Sequence, residues 1–388
     1  MTDVILDCSE LDALMGKPID PARMKEPLSN TDFRRWVQAM HYPNLLHYDA
    51  DFAAEGRFGR LLAPQSFAVA TDDGHGAGPA CVGKIPDSHL IFGGDEWWFY
   101  GPRIFGGDDI TNQKVPYDYT IKETSFAGPT CFQRGDNNYY NQNGDYIAKQ
   151  RSTAIRYNRA KAVEMATLDA SEDPIWSEAD LSALQDTKYE YIRMMHDLGH
   201  GKRCWEDIAV GDTLPIRAIG PHSIASFASE WRAYLFTIWG GTHRPGFDME
   251  AMGFTAEFAG HENDPVMERD NPELTDGAYF GPSRGHLFPE WARRIGMPRT
   301  YGYGASMGAW IIDYLAGWAG EYGQVVYCKS AYRGPAFGGD ATYLTAGVTD
   351  KSRDEQGRYV VRVEVKMANQ LGAIMATAIA DIELATQL

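Results

Sequence analysis

Basic charge is scarce in this chain: 36 Lys and Arg stand against 53 Asp and Glu over 388 residues, a formal net charge of −17. Phosphate backbones are held by clustered cations, so this balance argues against a nucleic-acid binder. Long apolar runs are missing too. The longest, from Ala305 to Leu315 around one Asp, falls well short of the about 20 residues that a bilayer span requires. The N-terminal stretch carries acidic residues from Asp3 onward and no basic segment followed by an apolar one. Neither a signal peptide nor a membrane anchor is expected, and the expected compartment is the cytoplasm.

Cysteine is sparse. Cys8, Cys81, Cys131, Cys204 and Cys328 are odd in number, scattered, and form no Cys-x-x-Cys pair, which excludes a disulfide framework or a zinc knuckle. His196 and His200 stand four apart but have no third ligand nearby, so they read as structural and no metal is expected. Gly74-His-Gly-Ala-Gly78 lacks the flanking strand, helix and acid of a dinucleotide loop. Gly302-Tyr-Gly304 followed by Ser306 does not make the Gly-x-Ser-x-Gly elbow of a hydrolase.

What the chain does have is 44% hydrophobic residues, 40 Gly and 20 Pro, the composition of a globular protein with many turns. At roughly 150 residues per domain, the length suits two or three domains or one duplicated fold. Self-similarity decides between these. Three blocks recur in the same order. His47 followed by Ala53 matches His286 followed by Ala292; Phe105-Gly-Gly-Asp108 matches Phe337-Gly-Gly-Asp340; Asn141-Gln-Asn-Gly144 matches Asn369-Gln-Leu-Gly372. The first residues of these pairs lie 239, 232 and 228 positions apart, so order and spacing both persist. Common turn chemistry could supply one such match, but hardly three in register.

The duplication divides the chain into an N-terminal half (1–157), a partly helical connector (158–204) and a C-terminal half (205–388) with an insertion at about 240–284. Phe33 to Met40 and Ile224 to Phe236 have helical apolar spacing ahead of each His. Small-residue helices are expected at Ser66 to Ala70 and Ala305 to Ala319. Strand-like runs follow: Asp95 to Tyr100, Val115 to Lys122 and Tyr146 to Tyr157, then Gln324 to Tyr332, Ala341 to Thr349, Tyr359 to Ala368 and Ala373 to Leu384. Each half is therefore expected to wrap an antiparallel sheet around a long central helix.

Trp205-Glu-Asp-Ile-Ala-Val-Gly-Asp212, the segment Asn44, His47, Asp49 and Ala53, and the set His286, Ala292, Pro298 and Gly304 carry a resemblance to a known family. Together they resemble the tandem double hot-dog proteins of the MaoC-like dehydratase and (R)-specific enoyl-CoA hydratase family. The resemblance covers nearly all of the chain outside the connector and the insertion. It implies an α+β double hot-dog fold of two tandem repeats, and a hydro-lyase that reversibly adds water to a 2-enoyl-CoA thioester. Coenzyme A is then part of the substrate, with no bound cofactor, and the expected assembly is a homodimer or a hetero-oligomer of hot-dog units.

Adding water to an enoyl thioester needs a base for the water, an acid for Cα, and donors to the oxygen that becomes enolate-like. His286 is placed as the base and the backbone N–H of Gly304 as the oxygen's donor. His47 and Asp49 offer a rival set in the first half. The resemblance also implies an Asp five residues before each His, but this chain has Gly281 and Tyr42 there. The nearest replacements in the insertion are Asp270, Glu273 and Asp276, of which Asp276 stands closest to His286 in sequence. Asn44 and Tyr303 are expected to line the substrate, and Lys329 and Arg333 to supply a basic patch for its phosphates. Two other functions stay open: a non-catalytic acyl-thioester-binding protein or partner subunit of an active hydratase, and a thioesterase using Asp313.

Overall fold

A single antiparallel sheet of ten strands runs through the molecule in the order β1-β3-β4-β5-β2-β7-β10-β9-β8-β6. The structure is a computed structural model that describes residues 6–24, 26–71, 76–168, 172–234 and 284–387. The first five strands are β1 (Ile19–Arg23), β2 (Ser88–Phe99), β3 (Thr111–Thr124), β4 (Gly128–Tyr140) and β5 (Tyr146–Asn158). The second five are β6 (Thr213–Ile219), β7 (Gln324–Tyr332), β8 (Thr342–Arg353), β9 (Tyr359–Asn369) and β10 (Ile374–Glu383). With β1 matched to β6, β2 to β7, β3 to β8, β4 to β9 and β5 to β10, the strand order reads the same from either end. The duplication is thus built into the sheet. The two halves meet where β2 pairs with β7 through Glu96–Lys329, Trp97–Cys328 and Trp98–Tyr327.

The helices are α1 (Ser9–Asp12), α2 (Asn30–Ala39), α3 (Ala50–Glu55), α4 (Arg159–Met165), α5 (Glu178–Leu198), α6 (Ile224–Tyr234), α7 (Pro289–Arg293) and α8 (Gly304–Ala319). Ser29 opens α2 with a capping box to Asp32, and Phe33, Trp36 and Val37 bury one face. His41, at φ 51, takes the left-handed turn that leads the chain away from α2. Helix α8 is apolar on every side, and all its residues but Gly304 and Ala316 are buried. Its small residues permit this depth. A Cβ on Gly308 would lie 2.6 Å from both Asp95 Oδ2 and Tyr332 OH.

The repeated turns have matching bonds. Asn141 Oδ1 accepts from Asn143 N and Asp145 N, and Asn369 Oδ1 accepts from Leu371 N and Ala373 N, each at 3.0 Å. These β4–β5 and β9–β10 hairpins are then tied to the Phe-Gly-Gly-Asp turns. Gln142 Nε2 donates to Asp108 Oδ1 and Gln370 Nε2 to Asp340 Oδ1, both at 3.1 Å. The two motifs persist because each clasps the other.

One expectation fails. Among its described residues the first half has no long central helix; Gln65–Thr71 form a short 3-10 segment. After Thr71 the sequence turns to Asp, Gly, His and Pro, which cannot extend a buried helix. β4 was also unexpected, being rich in Gly, Asn and Asp. Among the described residues, no helix is long and apolar enough to cross a membrane.

Candidate active site

Both repeated histidines sit at the end of a 3-10 turn, Leu45–His47 and Arg284–His286. His47 Nδ1 lies 2.9 Å from the carbonyl oxygen of Leu62, and His286 Nδ1 lies 2.6 Å from that of Tyr301. In each case the partner is fifteen residues further on. A carbonyl only accepts, so Nδ1 carries the proton and Nε2 is the basic atom. Burial lowers the pKa of His286 to about 4 against a smaller opposing effect of the Tyr301 carbonyl. His47 is lowered to about 3, again chiefly by burial. Both rings are therefore neutral near pH 7, with Nε2 able to take a proton.

The halves differ in what surrounds that atom. The His286 ring packs 4.0 Å from the ring of Tyr303 and 4.5 Å from that of Tyr301. Tyr303 is the N-cap residue of α8 and contributes no side-chain cap. The first amides of α8, Gly304 foremost, thus have neither an intrahelical acceptor nor a capping oxygen among the described residues. Gly304 is needed here because a Cβ would stand 2.5 Å from Phe92 Cβ on β2. His89, on the same strand, is near enough for its charge and that of His286 to oppose each other; burial first, then His286 and Arg159, lowers it to about 3.

A carboxyl group also reaches this end of α8. Ser306 Oγ donates to Glu230 Oε2 at 2.6 Å and lies 2.9 Å from Tyr234 OH. Tyr234 in turn packs 6.0 Å from the Tyr303 ring. Phe227, Glu230 and Tyr234 share one face of α6, set by their spacing of three and four. Glu230 is fully buried, its Oε1 has no hydrogen-bond partner among the described residues, and burial raises its pKa to about 8. Sequence reasoning sought this acid in the insertion and missed it on the helix before. Its signal was a lone Glu on an otherwise apolar and aromatic helical face.

The first-half counterpart is built differently. Gln65, which stands 239 residues before Gly304, donates to Val325 O and accepts from Val325 N, both at 2.9 Å. Asn44 is used internally: its Oδ1 accepts from Leu46 N and its Nδ2 donates to Tyr42 OH. Asp49 caps α3 through Asp51 N and Phe52 N. Both side chains are thus engaged in local hydrogen bonds.

The expected basic patch does not join either histidine. Ser330 bonds Asp95 on the inner face of the sheet. Strand alternation accordingly turns Lys329 outward, where it pairs with Glu96 at 3.4 Å. Arg333 is exposed at the end of β7. Asp313 is fully enclosed, accepts from Ser66 Oγ at 2.6 Å, and is raised by burial to about 7. Asp270, Glu273, Asp276 and Gly281 lie outside the described residues. His196 and His200 bond Pro43 O and Glu321 Oε1, and no group of three potential metal ligands occurs among the described residues.

Comparison with known proteins agrees with this architecture. Residues 13–150 match the family model described as FAS1-like, dehydratase domain region. No curated protein matches the chain. A solved MaoC-like dehydratase superposes with a TM-score of 0.60 at 16% identity, covering 97% of this chain and 100% of its own. A putative MaoC domain dehydratase from Chloroflexus aurantiacus J-10-fl gives 0.53 at 11% identity, covering 96% of each chain. A conserved hypothetical protein from Mycobacterium tuberculosis, described as having a double hotdog fold, gives 0.52 at 12% identity over 96% of this chain and 98% of its own. The chain has the double hot-dog fold that these solved structures share, and its residues 13–150 match the FAS1-like dehydratase region.

Proposed function

We propose that the chain is a hydro-lyase that reversibly hydrates a 2-enoyl thioester, with coenzyme A as the substrate's handle and a single working site in the second half. The observation that carries this reading is the uncapped start of α8 beside a histidine whose Nδ1 is fixed by Tyr301. His286 Nε2 would take a proton from water as the hydroxyl bonds to Cβ. The enolate-like oxygen would be held by the N–H of Gly304, where a fixed donor is worth several kcal/mol in a site shielded from water. Glu230, kept protonated at neutral pH by burial, is the group assigned to supply the proton that Cα gains. It takes the role that Tyr42 and Gly281 cannot fill.

A non-catalytic partner subunit is the second reading, favoured by those two replacements. Thioester hydrolysis has less support, since the carboxyl of Asp313 is enclosed behind Ser66. Loss of enoyl absorbance on adding the purified protein to crotonyl-CoA and bulkier enoyl-CoAs tests the proposal, and release of free thiol would mark hydrolysis instead. No turnover on any of these, with His286→Ala binding them as wild type does, would refute hydration and leave the partner-subunit reading.

A further inference from the structure

Beside the turn that carries His47 lies a cavity of about 660 Å³, between the end of α2, the middle of α5 and strand β6. Among the described residues, its walls carry Arg34, Lys188 and Arg217 and no Asp or Glu. The three cations are satisfied by carbonyl oxygens. Arg34 Nε donates to Tyr48 O at 3.0 Å, and Lys188 Nζ donates to Gly220 O. Arg217, only 2% exposed, donates to Trp310 O at 2.8 Å, Met40 O at 2.9 Å and His41 O at 3.1 Å. A carbonyl answers the hydrogen bond but leaves the charge in place.

The neighbouring groups register that field. His41, which also lines the cavity, is lowered to about 4 by burial first and then by Arg217 and Lys188. His222 behind it is lowered by burial, His41 and Lys188. The one carboxyl coupled to Arg217, Asp313, sits in the core against Ser66 and is itself pushed towards neutrality. Three positive charges therefore face a cavity in a chain whose net charge is −17.

The remaining walls are aromatic and aliphatic, with Tyr42, Tyr48 and Tyr191 among them. The Arg217 guanidinium stands 5.4 Å from the centre of the Tyr42 ring. At the position where the resemblance implies an acid, the first half thus has a tyrosine backed by a cation. Its volume is that of a small-molecule pocket, roughly 300–1,000 Å³.

We infer that this cavity is a binding site for an organic anion, a carboxylate or phosphate carried on an aromatic or apolar body, held by Arg34, Lys188 and Arg217 against the tyrosine walls. The site is separate from His286 and does not depend on turnover there.

Calorimetric titration of the full chain with benzoate, phenyl phosphate and adenosine 3′,5′-bisphosphate tests it, with benzyl alcohol as the neutral control. At least one anion is expected to bind with Kd between about 10 μM and 1 mM, more weakly as salt rises. Preference for the bisphosphate identifies the handle of a coenzyme as the source; preference for benzoate identifies a separate acid. Lys188→Met combined with Arg34→Met, one half-buried and one exposed, should weaken binding by at least about tenfold while the melting curve shows a folded protein. The inference is overturned if no anion binds, if benzyl alcohol binds as tightly as benzoate, or if the folded double variant binds unchanged. Because binding is read without turnover, any of these leaves the hydration proposal standing.

Discussion

The two faces that line the inside of the sheet are covered in opposite ways. In the second half, Val361, Val363, Val365 and Met367 on β9 and Ala376, Ala378 and Ala380 on β10 meet the apolar helix α8 within one buried core cluster. In the first half, the matching strands present Gln133, Asn137, Gln150 and Arg156, all fully buried. These are covered by backbone. Asn137 Nδ2 donates to Gly76 O, Gln133 Nε2 to Val82 O, and Arg156 NH1 to Gly83 O, at 2.6, 2.8 and 2.7 Å. Leu6, Cys8 and Leu11 from the N-terminal segment pack against Cys131 beside them. An apolar face needs only shape to be covered, whereas a polar face needs carbonyls, and a loop offers carbonyls where a helix keeps them for itself. Where the second half has the N-terminus of a long helix, the first has only the start of the 3-10 segment Gln65–Thr71.

If the halves divide the work in this way, the largest asymmetry lies in turnover. His286→Ala should lower kcat/KM for enoyl-CoA hydration by about 100- to 10,000-fold, while His47→Ala changes it less than about tenfold and chiefly lowers the melting temperature. The reverse pattern in the same kinetic assay would exchange the roles of the halves.

Next in size is Gly304→Ala. Its Cβ would collide with Phe92, and the crowding is expected to cost about 1–3 kcal/mol in denaturant unfolding together with a drop in kcat. Phe92→Ala in the same chain should recover part of the stability if that contact is the cause.

The pH dependence sharpens the contrast between the buried groups. His47 and His286 have folded pKa values of about 3 and about 4, below the free value of 6.5. Their stability is complete above pH 6.5 and is lost as pH falls towards 4. Glu230 has a folded value of about 8 against 4.5. The native state holds its proton longer, so stability falls as pH rises from 4.5 through 8. Urea midpoints measured from pH 6.5 to 9 should decline for wild type, and the decline should be smaller by at least about 1 kcal/mol for Glu230→Gln. The same substitution should slow hydration and remove the alkaline limb of the rate profile.

The smallest effect is expected at Asp49→Ala, which removes the cap of α3. A loss of about 0.5–2 kcal/mol in stability with unchanged kcat is the outcome that a capping role requires. A large loss of kcat would return Asp49 to the catalytic machinery.

The parts of the molecule that were legible in the sequence are those whose chemistry is local. The Phe-Gly-Gly-Asp turns and Asn-Gln hairpins are written in residues that bond within a few positions, and alternation marked β7 through β10. β4 was hidden because its buried Gln133 and Asn137 look like loop residues until their partners at Val82 and Gly76 are brought over them. His47 and His286 could be found by repetition, but their difference could not, since it rests on whether a helix follows. Glu230 needed the packing of α6 along α8 to be seen. The pairing of Lys329 with Glu96 could not be read from the sequence, because it depends on the register across the seam.

That seam has its own consequence. Only three residue pairs join β2 to β7, yet the halves share one sheet. The rest of the junction is a core shared by both halves, in which α8 packs on β2 as well as on β7, and the tether of 158–204 keeps the two copies at an effective local concentration on the order of millimolar. Joined in this way, the copies are also released from symmetry. A substitution in one half is no longer imposed on the other, so Gln65 could stand in one half where Gly304 stands in the other.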